Sequence, residues 1–76
     1  MPRYFFHLRT PTGIDIDRKG MELRDAEAAY LLAAETIPAM SVAFTDIIAD
    51  ARRFRIEITD DLGRILFEIP FAEILG

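Results

Sequence analysis

The chain contains no cysteine, no tryptophan and a single histidine, with only four prolines and four glycines among its 76 residues. Absent cysteine rules out disulfides and thiolate metal sites, and one histidine cannot build a zinc centre alone. No apolar run approaches the roughly 18 residues of a membrane span. The N-terminal apolar run is too short for a signal peptide, because arginine resumes at Arg9. A cytoplasmic protein without metal or cofactor is the resulting expectation. Excess positive charge is missing too. The balance is −4 and the pI about 4.8, so the molecule as a whole repels a phosphate backbone at long range.

What is present is apolar: 51% of the residues are hydrophobic, which marks a globular chain rather than a disordered one. Its length allows one domain, residues 1–76. A domain this small buries only roughly 60% of its unfolded surface, and such domains compensate with disulfides, metals or self-association. With the first two excluded, a homodimer is expected.

The opening "RYFFHLR" alternates, with Tyr4, Phe6 and Leu8 on one face and Arg3, Phe5, His7 and Arg9 on the other. Period two with aromatic enrichment predicts a strand. "IDID" (14–17) alternates as well. If both strands bury their even positions, a three-residue loop Pro11-Thr12-Gly13 pairs Thr10 with Ile14, Arg9 with Asp15 and His7 with Asp17. After the turn "DRKG" (17–20), helical spacing governs. Asp25 is placed as an N-cap, and an apolar stripe runs through Ala26, Ala29, Tyr30, Ala33, Ile37, Met40, Phe44, Ile47, Ile48 and Ala51. Pro38 interrupts the stripe without changing its phase, which predicts one kinked helix rather than two. Leu31 and Leu32 fall off the stripe.

The last third reads as a hairpin. Phe54, Ile56 and Ile58 point inward, "DDLG" (60–63) turns, and Ile65, Phe67 and Ile69 point inward on the return. A four-residue loop then sets Arg55 opposite Glu68. Pro70 ends the strand and "FAEILG" is expected to cap it with a short turn. The fold class is α+β, a two-layer β-β-α-β-β with a four-stranded antiparallel sheet of order 2-1-3-4 and one long helix on one face.

The other sheet face carries Asp15, Asp17, Glu57, Arg64 and Glu68 among a candidate interaction face of Arg3, Phe5, His7, Arg9, Arg53, Arg55 and Leu66. Single-strand nucleic-acid binders stack bases on sheet aromatics beside basic residues, but here Tyr4, Phe6 and Phe54 turn inward and leave Phe5 alone. His7 has only Asp17 as a partner, on an open sheet rather than in a cleft, so no catalytic role is expected. The two D-x-x-G stretches lack the alternating oxygen ligands of a calcium loop and are expected to be turns. Mixed charged and apolar sheet faces suit packing between protein copies.

The opening "MPRYFFHLR", Asp17, Gly20, Glu22 and Leu23, then Phe54, Ile56, Ile58, Asp60 and Gly63, then Ile69, Pro70 and Phe71 follow a recognisable pattern. The sequence resembles a family of short bacterial proteins that begin M-P-R-Y-F-F-H-L-R and share a domain of unknown function. That resemblance spans nearly the whole chain and implies a fold without an activity. Pro38 and the loop between the last two strands depart from the pattern. The acidic hairpin leading to an alanine-rich helix is similar to the N-terminal domain of HicB-type antitoxins, which would imply a toxin partner. The expectation is a small, non-enzymatic, self-associating interaction module. The alternative is a binder of single-stranded nucleic acid or of a toxin partner through the arginine-bearing face.

Overall fold

The computed structural model describes residues 1–43 and 52–75, with the side chains of residues 40–43 excepted. The described elements run β1 (Arg3–Thr10), β2 (Gly13–Asp15), β3 (Met21–Glu22), α1 (Ala26–Ala43), β4 (Arg55–Thr59), β5 (Ile65–Pro70) and α2 (Phe71–Leu75). One antiparallel sheet runs β2-β1-β4-β5, and β3 pairs with β1 on the same side as β2. The expected α+β class and the interior place of the first strand hold. Added to the expectation is β3, whose ladder continues where the Leu23 N–H donates to the Pro2 carbonyl at 3.0 Å.

The helix begins where the capping chemistry says it should. The Asp25 carboxylate accepts from the Ala28 N–H at 2.8 Å, satisfying one of the donors that the first turn leaves open. From there α1 runs unbroken through Pro38. Its small residues Ala29 and Ala33 are fully buried beside Ile37, so the helix can approach the sheet closely. Opposite them lie Tyr4, Ile56, Ile58, Ile69 and Phe71, and these eight residues are the core. Leu31 is exposed, as its place off the stripe implies, while Leu32 is half-buried. The stripe positions Phe44, Ile47, Ile48 and Ala51, and the side chain of Met40, lie outside the described residues.

Both hairpin registers differ from expectation. At β1–β2 the loop is two residues, not three, and the partners are Thr10 with Gly13, Arg9 with Ile14 and Leu8 with Asp15. Direct partners share a face, so Ile14 joins Arg9 on the outer side and Asp15 moves to the helix side. The reason is coverage. The helix lies over β1, β4 and β5, leaving no core for β2 to enter, and Ile14 and Ile16 remain 37% and 48% exposed.

At β4–β5 the partners are Glu57 with Glu68 and Arg55 with Pro70, not Arg55 with Glu68. A bulge between Ile58 and Thr59 shifts the register, putting Ile65 beside Thr59. Ile65 is therefore 56% exposed instead of buried. Phe67 and Ile69 do face the helix, and Phe67 meets Tyr30 edge-to-face at 5.2 Å. Past Pro70 the chain forms the helical turn of α2, whose Phe71 is fully buried against Phe54 with ring centroids 5.8 Å apart.

Candidate functional site

The outer sheet face gathers side chains from every principal strand. β1 contributes Arg3, Phe5, His7 and Arg9; β4 contributes Arg55, Glu57 and Thr59; β5 contributes Glu68 and, beyond the bulge at Leu66, Ile65. At the centre is Glu57, a carboxylate only 5% exposed on a face with no helix over it. Its direct partners are His7 and Glu68, and Arg9 reaches it diagonally, with Nε donating to Oε2 at 2.7 Å. That bond holds Glu57 below the usual carboxylate range against the opposing effect of burial, and the charges of Arg9 and Arg55 add to the depression. Thr59 is similarly covered, at 6% exposed.

His7 is engaged on both ring nitrogens. Nδ1 accepts from the Asp17 N–H at 3.0 Å, and Nε2 lies 3.2 Å from Thr59 Oγ1. A nitrogen that accepts carries no proton, so this network assigns the proton to Nε2, which donates to Thr59. The contact resembles a base poised on a hydroxyl, but the hydroxyl is buried and the far nitrogen is already used.

His7 meets Asp17, as expected, though not as a cross-strand pair: β2 ends at Asp15. Asp17 instead occupies the gap between β2 and β3. Its Oδ2 accepts from the Phe6 N–H at 3.1 Å, supplying the bond that a continuous neighbouring strand would have made. Its Oδ1 accepts from the Lys19 and Gly20 N–H groups, each at 3.1 Å. Burial pushes this carboxyl up, yet the backbone donors Phe6, Gly20 and Lys19 together with His7 hold it below its ordinary value. The turn so formed folds back against Phe5, since a Cβ on Gly20 would lie 2.8 Å from both the Phe5 ring and the Tyr4 carbonyl. Phe5, the one aromatic on this face among the described residues, is thus half-buried and stacked near His7, with centroids 6.5 Å apart and planes 11° from parallel.

The predicted interaction residues therefore separate. Arg3 is tied to the Lys19 carbonyl at 2.8 Å and to Glu22 at 3.3 Å, and sits at the far end of β1 from Arg9, about 20 Å away at the rise of a strand. Arg9 belongs to Glu57. Arg53 and Arg55 are exposed beyond it, and Leu66 is 37% exposed on β5. Asp60 repeats the Asp17 arrangement in the second turn, accepting from Leu62 and Arg64 N–H groups at 2.9 Å each. Both D-x-x-G stretches are turns. Sequence reasoning missed the burial of Glu57 and Thr59; a glutamate flanked by isoleucines in a strand gives no local sign of it.

On the opposite side, an open groove of about 260 Å³ lies between α1 and β1, lined by Phe6, Leu8, Met21, Leu32, Ala33, Thr36 and Ile56. It exists because the helix leaves the β1–β3 margin uncovered, and it explains why Phe6 and Leu8 are only partly buried. Among the described residues no group of three acidic or histidine side chains converges to hold a metal, and no helix is long and apolar enough to cross a membrane.

These features define a two-layer α+β domain whose antiparallel sheet has one face under a helix and one face knitted together by polar contacts. The chain belongs to the family described as a domain of unknown function (DUF6894), whose family model matches residues 3–72. No curated protein and no solved structure matches it.

Proposed function

We propose that this chain is a small, non-enzymatic interaction module that self-associates through the β5 side of the sheet. The observation that carries the reading is the apolar surface gathered there. Ile65 and Leu66 are 56% and 37% exposed beside Thr59, whose other neighbour is Phe5. Adjoining large apolar side chains at the margin of a marginally sized domain favour burial against another protein surface. The polar centre of the outer face supports the non-enzymatic part, since His7, Glu57 and Thr59 are occupied with one another or with Asp17 and Arg9.

The arginine-bearing end favours nucleic acid less. Glu57 and Glu68 lie among its arginines, and Phe5 is stacked and half-covered rather than free to receive a base. Sedimentation equilibrium at micromolar concentration tests the main reading. A dimer is expected, and a monomer of 8.7 kDa persisting to hundreds of micromolar would refute it.

A further inference from the structure

The groove between α1 and β1 combines an apolar floor with a rim of one charge sign. Phe6 and Leu8, on the core side of an interior strand, stay half-buried there, and Met21 is 47% exposed. The one side-chain donor among its lining residues, the Thr36 hydroxyl, already donates to the Leu32 carbonyl at 2.7 Å. Leu8 has Asp15 as its direct cross-strand partner, so that exposed carboxylate stands on the groove's side of the sheet. Glu35, three residues on from Leu32, adjoins it on the helix surface and is exposed as well. The α1 span 26–43 contains no basic residue. The bases at this end of the molecule are engaged elsewhere. Arg3 and Arg9 belong to the outer face, Arg24 pairs with Asp25 at 3.3 Å, and the turn bearing Arg18 and Lys19 folds against Phe5. Around the apolar floor, the side chains at the rim therefore accept hydrogen bonds and carry negative charge.

We infer that this groove receives a basic segment of another protein, anchored by two apolar side chains about 6 Å apart. Size sets the anchors. A cavity of roughly 150 Å³ holds a benzene, so one of about 260 Å³ takes two side chains of leucine size. It is smaller than the roughly 300–1,000 Å³ of pockets that enclose a whole small ligand, and it is open, so the occupant needs a scaffold that stays outside. The walls set the spacing. Phe6 and Leu8 are two residues apart on a strand, about 6.6 Å, and Leu32 and Thr36 are one helical turn apart, about 6 Å. Anchors at i and i+4 of a helix match both. Charge sets the flanks. Lysine and arginine bring donors and no acceptors to a rim made of carboxylates and a spent hydroxyl. A phosphate backbone or an anionic membrane surface meets like charge there, as does a second copy of this chain at −4. The groove lies on the β3 side of β1, away from β5, so this contact adds to self-association and does not depend on it.

The probe is a fluorescein-labelled, alanine-rich peptide of about 15 residues with leucines at i and i+4 flanked by lysines. Binding is read by fluorescence anisotropy and located by amide resonances in heteronuclear NMR. The peptide should move the resonances of Leu8, Leu32 and Ala33 and leave those of Ile65 and Leu66 in place. Replacing both leucines by alanine is expected to weaken binding about 30-fold, and replacing the lysines by glutamates about tenfold. Thr36→Lys, at an exposed helix position, puts a cation on the rim and should weaken the lysine peptide about fivefold with the far-UV circular dichroism unchanged. Should that variant fail to fold, the peptide series on the wild type decides. A glutamate peptide that binds as tightly as the lysine one, or an alanine peptide that matches the leucine one, overturns the proposal. So does a lysine peptide that moves none of the groove resonances at about 1 mM. Octylammonium binding as tightly as the peptide would overturn it in favour of a small cationic amphiphile.

Discussion

Gly20 and Gly63 occupy the same place in two D-x-x-G turns, with φ of +67° and +81°, yet they should respond differently to the same substitution. An alanine at φ near +60° costs about 1–2 kcal/mol in backbone strain, partly offset by about 0.4–1 kcal/mol from a less flexible unfolded chain. Gly63 has nothing within 4 Å of a new Cβ, so Gly63→Ala should cost only that net, about 1 kcal/mol. At Gly20 the added Cβ would meet Phe5 Cε2 and the Tyr4 carbonyl at 2.8 Å and Arg3 Cγ at 2.9 Å. The ring and the arginine stem can turn aside; the carbonyl cannot, because it belongs to β1. The turn must shift instead, at the expense of the bonds Asp17 makes to Lys19 and Gly20. A further cost of about 1–3 kcal/mol follows from such overpacking, giving roughly 2–4 kcal/mol in all. The difference should appear as a Tm lower by 10 °C or so in Gly20→Ala than in Gly63→Ala, at about 4–8 °C per kcal/mol. Asparagine, which tolerates the left-handed region, should restore stability at 63 and not at 20. Equal losses at the two sites in thermal melts would refute the close approach of the 17–20 turn to β1.

Two further outcomes are expected. Phe71→Ala should cost roughly 3–5 kcal/mol in urea denaturation, out of a total of about 4–11 kcal/mol for a chain this size, because Phe71 is fully buried against Phe54; a loss under about 1 kcal/mol would show that α2 does not belong to the core. Glu57, depressed in the folded state chiefly by its bond to Arg9, contributes stability that is fully present above its unfolded value of about 4.3 and is lost as pH falls through the folded value. Glu57→Gln should then be less stable than the wild type at pH 7 and converge with it on acidification, and parallel pH profiles would count against the Arg9 bond.

Much of the architecture was legible because it depends on period and capping. Tyr4, Ile56 and Ile58 face the core as alternation requires, and Asp25 caps the helix whose buried stripe begins with Ala29, Ala33 and Ile37. The registers were less legible because parity alone chose the loops. Requiring Ile14 to be buried demanded a three-residue turn, but burial presupposes a helix above β2, and the sequence does not say how far a helix extends sideways. The bulge at Thr59 leaves no composition signal, so Ile65 was assigned by alternation to a core it does not enter. Phe71 was not assigned to the core because the short capping turn expected after Pro70 is too brief to carry a periodicity from which burial could be read. The candidate face was legible only as a membership. Which arginine would be consumed by Glu57, and which by Glu22, depends on the cross-strand neighbours and hence on the registers.

Those registers also bear on where binding can occur. The basic–aromatic opening stretch looks like a presented surface, yet each member is turned to internal use. The Phe6 N–H is taken by Asp17, the His7 ring bridges Asp17 and Thr59, Arg9 neutralises a buried glutamate, and Arg3 holds the 17–20 turn. A partner recruiting these groups would have to break bonds that stabilise the sheet, and would gain only the difference. The exposed side chains of Ile65 and Leu66 have no such prior claim among the described residues. Covering them would bury apolar surface without dissolving internal bonds, leaving only the ordinary entropic cost of association to offset. On the proposed reading, the first strand keeps the domain folded and the last one meets a partner.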